Sequence, residues 1–253
     1  MLALCMVGFY SCSSDDDDKT GTEGNESAIV GKWEVSNQNA AYGSFEFTSD
    51  KKYIITQRTT TPPNGSRSVT RAGETYIIVI FGDYSSLSGT GNEYTLNLKE
   101  FGTIVINISG SGATITVNGE TYDTNKAPEI TTNKSKTELL CHEWKFDKSI
   151  INGEELPSEY SYYRLVFTET GTYYSEGTFR EEPIESFSTY GAWEWVDSKT
   201  IKITQEGGTN TWEEETLEET FVSTVQKLTD SELVIYGIDN SYEYEETTTY
   251  LYR

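Results

Sequence analysis

Apolar and polar residues alternate with a period of two along much of this chain, and the pattern has two starts. In Gly31-Lys32-Trp33-Glu34-Val35, Trp33 and Val35 share one face while Lys32 and Glu34 share the other, as in a half-buried strand. The second start is Cys141-His142-Glu143-Trp144-Lys145-Phe146. After each Trp a strand-like run ends in Phe-Thr, a turn follows, and a Tyr opens the next strand. These stretches are Phe47-Thr48-Ser49-Asp50-Lys51-Lys52-Tyr53 and Phe167-Thr168-Glu169-Thr170-Gly171-Thr172-Tyr173, with the same Phe-to-Tyr spacing. Self-similarity of this kind predicts two tandem β units.

In the first unit, further strands are expected at Ser44 to Thr48, Tyr53 to Arg58, Tyr76 to Phe81, Tyr94 to Lys99, Thr103 to Ser109, Ala113 to Val117 and Glu120 to Asp123. Asn118-Gly119 suits a two-residue hairpin turn, which needs positive φ at both centres. Ser88-Gly89-Thr90-Gly91-Asn92 reads as a flexible hairpin loop, since no helix and no Lys-Ser/Thr follow to make it a phosphate loop. The run Tyr76-Ile77-Ile78-Val79-Ile80-Phe81 does not alternate. It predicts a strand covered on both sides, the second cover being either the other unit or an apolar ligand.

Thr124 to Thr137 has Pro128 and almost no apolar content, as an interdomain linker does. In the second unit Asn152-Gly153 makes a turn, Tyr160 to Phe167 a strand, and Leu233 to Tyr236 and Tyr242 to Tyr252 the last strands. Trp193 and Trp195 share a face. Core packing is the first account of the pair and a sugar-stacking platform the second. Trp212 opens an acidic stretch to Phe221 that fits a polar strand or hairpin better than a helix, because no apolar stripe continues at helical spacing. Trp193, Trp195 and Trp212 are therefore the candidate binding aromatics.

Composition agrees with an all-β chain: aromatics are 13% of it, with 18 Tyr, residues that suit strands. The net charge of −22 is unevenly placed. Residues 29–137 carry 10 acidic and 10 basic side chains, whereas residues 138–253 carry 25 acidic and 8 basic. Such a surface repels phosphates and anionic membranes, which argues against nucleic-acid partners and favours a role in solubility over cation binding. The single histidine, His142, has only Cys141 and Glu143 beside it, and in a strand these point to the opposite face. No metal site, cofactor site or catalytic triad can be assembled. Cys141, without a partner thiol, is expected to be a small buried apolar residue.

At the N-terminus, residues 2–10 are apolar but too short to span a bilayer, as in the h-region of a secretion signal. Ser11-Cys12 after this run resembles the lipobox of bacterial lipoproteins, and Ser13-Ser14-Asp15-Asp16-Asp17-Asp18 is similar to the acidic export signal of Bacteroidetes surface lipoproteins. The resemblance implies that Cys12 carries the lipid, that these six residues direct export, and that the membrane partner is reached through acyl chains. Gly-x-Trp on a first strand, followed by a train of antiparallel strands, looks like the lipocalin signature and the small lipocalin-like domains of such lipoproteins. Gly191-Ala192-Trp193-Glu194-Trp195 with Asp197, Ile201 and Ile203 resembles their mid-domain hairpin.

That resemblance implies two tandem antiparallel up-and-down β-barrels behind a lipidated flexible tether. The divisions are a signal peptide at 1–11, an acidic tether at 12–28, a first barrel at 29–125, a linker at 126–137 and a second barrel at 138–253. It makes Gly31, Trp33 and Trp144 structural anchors and Arg253 the basic residue stacked on Trp144. With His142 in the place of Gly31, it leaves the closure of the second barrel in question. The implied function is a non-enzymatic protein of the bacterial outer membrane, exposed at the cell surface, that binds a small apolar molecule, a glycan or a protein. A spacer with filled barrels is the alternative, and a carboxylate-pair glycoside hydrolase the third.

Overall fold

A computed structural model of the chain describes residues 26–60, 68–72, 75–181, 184–209, 219–239 and 244–252. These build two closed eight-stranded antiparallel barrels in tandem. Barrel 1 begins with helix α1 (Glu26–Ile29) and strands β1 (Gly31–Val35), β2 (Tyr42–Phe47) and β3 (Lys52–Thr59). It continues through β4 (Ser68–Ala72), β5 (Thr75–Thr90), β6 (Glu93–Leu98), β7 (Gly102–Ser109), β8 (Gly112–Val117) and β9 (Glu120–Lys126). Strands pair in chain order, except that β3 pairs directly with β5 and β4 forms an outer ribbon on β5. Pairing of Trp33 with Lys126 closes β9 onto β1.

Barrel 2 follows the same plan. Helix α2 (Lys134–Leu140) precedes β10 (Glu143–Ile151), the short outer ribbon β11 (Glu154–Leu156), β12 (Tyr160–Phe167), β13 (Thr172–Phe179) and β14 (Ser186–Trp195). Then come β15 (Thr200–Thr209), β16 (Glu219–Leu228), β17 (Glu232–Asp239) and β18 (Tyr244–Leu251), with Phe146 opposite Tyr250 closing β18 onto β10. Both Asn-Gly turns have positive φ at their two centres, 52° and 84° at Asn118-Gly119 and 49° and 86° at Asn152-Gly153.

The repeat extends to single hydrogen bonds. Each barrel is stoppered by a helix whose last residue is fully buried, and the Trp of the following strand donates its indole N–H to that residue's carbonyl. Trp33 Nε1 reaches Ile29 O at 2.9 Å and Trp144 Nε1 reaches Leu140 O at 2.8 Å. A buried indole needs such an acceptor. The two Phe-Thr turns are also alike: the N–H of Lys52 bonds Thr48 Oγ1 at 3.0 Å, and that of Thr172 bonds Thr168 Oγ1 at 3.0 Å. Both turns need a left-handed residue, supplied by Lys51 at φ 63° and Gly171 at φ 83°.

Several details differ from the sequence expectations. The presumed loop at Ser88 to Asn92 is mostly strand, since β5 runs to Thr90 and only Gly91-Asn92 turn. Of the expected linker 126–137, Lys126 ends β9 and Lys134 begins α2. The connection between them is tied down at its start, by Ala127 N–H on Lys32 O at 2.8 Å, and at its middle, by Ile130 N–H on Glu169 O at 2.7 Å. Barrel 2 closes without a glycine at the position of Gly31. Gly31 has φ 121°, whereas His142 is not among the residues with positive φ, and its ring fills the gap by packing 4.8 Å from Tyr252 and 6.2 Å from Trp144.

Candidate functional site

Cys12, Ser13, Ser14, Asp15, Asp16, Asp17, Asp18, Trp212 and Arg253 lie outside the described residues. Trp33 and Trp144 are core anchors, 1% and 0% exposed. In barrel 1 the last strand does bring a cation to the first-strand Trp, as Lys126 Nζ lies 5.8 Å from the Trp33 ring. Trp193 and Trp195 are not a stacking platform. They are 3% and 8% exposed, pack edge to face at 5.9 Å, and donate their indole N–H groups to Thr168 O and to Thr137 Oγ1. Strand alternation turns both inward beside α2, so neither offers a ring face to a ligand.

The two interiors are filled differently. Barrel 1 is packed along its length by Trp33, Phe45, Phe47, Tyr53, Leu96, Ile104, Ile106 and Ile115 among others. Among the described residues, the core of barrel 2 runs from Leu140, Trp144, Phe167, Trp193 and Trp195 beside α2 to Tyr250, with Phe146 and Tyr163 packed against it. Strand β12 runs towards the α2 end, where Phe167 N–H meets His142 O, so Tyr160 lies at the other. There Phe146, Tyr160, Tyr163, Phe179, Phe187 and Tyr250 form one aromatic cluster with ring centroids 5.0 to 6.1 Å apart. Burial, followed by the neighbouring Tyr173, pushes the Tyr163 and Tyr250 hydroxyls well above the ordinary tyrosine range.

Towards the mouth the rings become accessible. Tyr160, Phe179 and Phe187 are half-buried, and Phe221 is 44% exposed although it pairs with the inward-facing Ile203. Gly177 makes room for the cluster, since a Cβ there would meet the Phe187 ring at 2.7 Å. Arg180 crosses the rim and donates to Tyr160 O at 3.2 Å. Among the described residues the barrel thus presents partly exposed aromatics at this end, above a packed core.

The second constellation lies between the barrels. The β2–β3 hairpin of barrel 1 meets the β12–β13 hairpin of barrel 2 about an approximate two-fold axis. Lys32, just before Trp33, donates to Thr172 Oγ1 at 3.5 Å, while Glu143, just before Trp144, pairs at 2.5 Å with Lys52, the counterpart of Thr172. Ile54 and its counterpart Tyr174 both enter a seam cluster with Val79, Val166 and Tyr190. Phe81 stacks on Tyr174 at 4.7 Å and carries the Arg164 guanidinium 4.5 Å above its ring. The other unit is therefore the second cover of the Tyr76 to Phe81 run.

Charge runs through this seam in a chain. Lys52 also pairs with Asp83 at 2.6 Å, and Arg164 joins Glu143 at 3.3 Å to Glu176 at 2.6 Å. Burial opposes the charge on Lys52, but its bonds to Asp83 and Glu143 outweigh that and raise its pKa. Asp83 is likewise penalised by burial, yet Lys52 holds it below the ordinary carboxylate value. The unbroken apolar run in β5 was the sequence signal for a doubly covered seam. Nothing in the sequence marked Glu46 and Glu143 as the buried acids, 2% and 6% exposed. The chain matches no protein-family model and no curated protein.

Proposed function

We propose that the chain is a lipid-anchored, non-enzymatic surface lipoprotein of the lipocalin-like kind, and that it binds glycans at the aromatic mouth of barrel 2. Cys12 is the anchor and Ser13 to Asp18 the export signal in this proposal, on the strength of their spacing after the apolar leader. The observation that carries the binding site is the cluster of Tyr160, Phe179 and Phe187, whose rings are partly exposed at one end of barrel 2, with the exposed Phe221 on β16. A packed core suits a ring stacked across the rim better than an apolar molecule swallowed whole.

Titration of the full chain with oligosaccharides of differing backbone, followed by intrinsic fluorescence, tests this. A saturable change is expected with at least one of them, lost in Phe187→Ala and Phe221→Ala while the melting temperature stays close to wild type for the exposed Phe221 variant. Silence across the panel hands the function to the spacer alternative, which the filled interior of barrel 1 also fits.

A further inference from the structure

A small solvent-open cleft of about 20 Å³, room for one water-sized group, lies where the two Phe-Thr turns and the connection between the barrels converge. Three carboxylates from separate parts of the chain border it, Glu46 from β2, Glu129 from the connection and Glu169 from the β12–β13 turn, together with Thr48, Thr170 and Cys141. Glu46 is the unusual member. It is 2% exposed, its Oε1 accepts a hydrogen bond from Thr170, and its Oε2 has no hydrogen-bond partner among the described residues. The field of Lys32 reaches it, but the Lys32 ammonium donates to Thr172 instead. A buried carboxylate oxygen left unpaired is costly, and a bound donor relieves that cost.

The surroundings carry an excess of negative charge, although Lys126 pairs with Glu129 at 3.7 Å and Lys134 and Lys126 partly offset the field at Glu169. Burial and then the neighbouring Glu129 and Glu138 raise the Glu169 carboxyl, and after burial Glu169, Glu46 and Asp50 push the Cys141 thiol well up. Among the described residues no group of His, Cys, Asp or Glu is placed to hold a metal ion, so the carboxylates are too dispersed for one small sphere of ligands. Dispersed acceptors with hydroxyls between them match a head that carries three N–H donors on a narrow stem. We propose that this cleft between the barrels is a binding site for a primary ammonium group, as borne by a lysine side chain or an alkyl diamine, with Glu46 as the buried acceptor and Glu169 as the outer one.

Isothermal titration of the full chain with cadaverine tests this, at about 0.15 M salt so that long-range attraction is screened. Its bis-trimethylammonium analogue, which has the charge and length but no N–H donors, is the comparator. One saturable site is expected for cadaverine, at least tenfold weaker in Glu46→Gln, weakened also in Glu169→Gln, and absent for the analogue. Equal binding of the analogue, unchanged affinity in both variants, or no saturable binding of cadaverine overturns the proposal. If Glu46→Gln does not fold, the half-buried Glu169→Gln decides alone.

Discussion

Barrel 1 and barrel 2 share a plan and differ in what they leave accessible. Both start from a stoppering helix, a Trp bonded back to that helix and a Phe-Thr turn held by the same threonine hydroxyl. Barrel 1 is near neutral, filled along its length and closed through a glycine with φ 121°. Barrel 2 carries most of the acidic excess, closes around a histidine ring, and has aromatics that reach the mouth at the end away from the helix. Shared features are the helix, the bonded Trp and the Phe-Thr turn, while the differences lie in the closing residue, Gly31 against His142, and at the end away from the helix. The end away from the helix is where glycan binding is proposed, whereas the ammonium cleft lies between the shared Phe-Thr turns.

The largest expected effect tests the shared part. Trp33→Ala and Trp144→Ala each remove a fully buried indole and its hydrogen bond, and should each destabilise by about 3–5 kcal/mol in denaturant titrations. If one of them costs under about 1 kcal/mol, the two anchors are not equivalent. A smaller effect tests the difference between the barrel ends. Gly31→Ala places a side chain at φ 121°, with Lys126 Cε 2.6 Å from the new Cβ, and should cost about 1–3 kcal/mol. His142→Ala removes only ring contacts and should cost about 0.5–1.5 kcal/mol. Reversed magnitudes in equilibrium unfolding would show that the histidine, not the glycine, is the constrained closure.

Much of the plan was legible because it is written in period-two alternation and in turn chemistry. Both Asn-Gly turns, the two Trp strands and the Phe-Thr repeat stand where the sequence places them. Other features depend on tertiary contacts that no local pattern encodes. Trp193 and Trp195 look alike as core residues or as a platform until Thr168 O and Thr137 Oγ1 are seen to accept their indole protons. The aromatic mouth draws Phe146, Tyr160, Phe179, Phe187 and Phe221 from five strands, so no single stretch announces it. The connection looked free because its apolar residues are few, yet Ile130 packs against the core of barrel 2.

The smallest effect concerns pH at the seam. Asp83 has a folded pKa below its unfolded value, so its contribution is present above the carboxylate range and is lost as pH falls through the folded value. Lys52 has a folded pKa above its unfolded value, so its contribution is present below the ordinary lysine value and is lost as pH rises past the folded one. Melting temperature should therefore be level between those limits and fall on either side. Lys52→Met should soften both falls, and if it leaves both flanks unchanged, the Lys52–Asp83 pair does not set the pH dependence.

The central claim is that the seam makes one body of two barrels, and scanning calorimetry of the full chain beside Glu143→Ala tests it most directly. Glu143 is 6% exposed and joins Lys52 of barrel 1 to Arg164 of barrel 2, so its removal breaks that link, leaves Lys52 with Asp83 and Arg164 with Glu176, and should cost about 1–3 kcal/mol. The expected result is a single cooperative transition for the wild type that separates into two in the variant. Two transitions in the wild type, with neither displaced by Glu143→Ala, would contradict it.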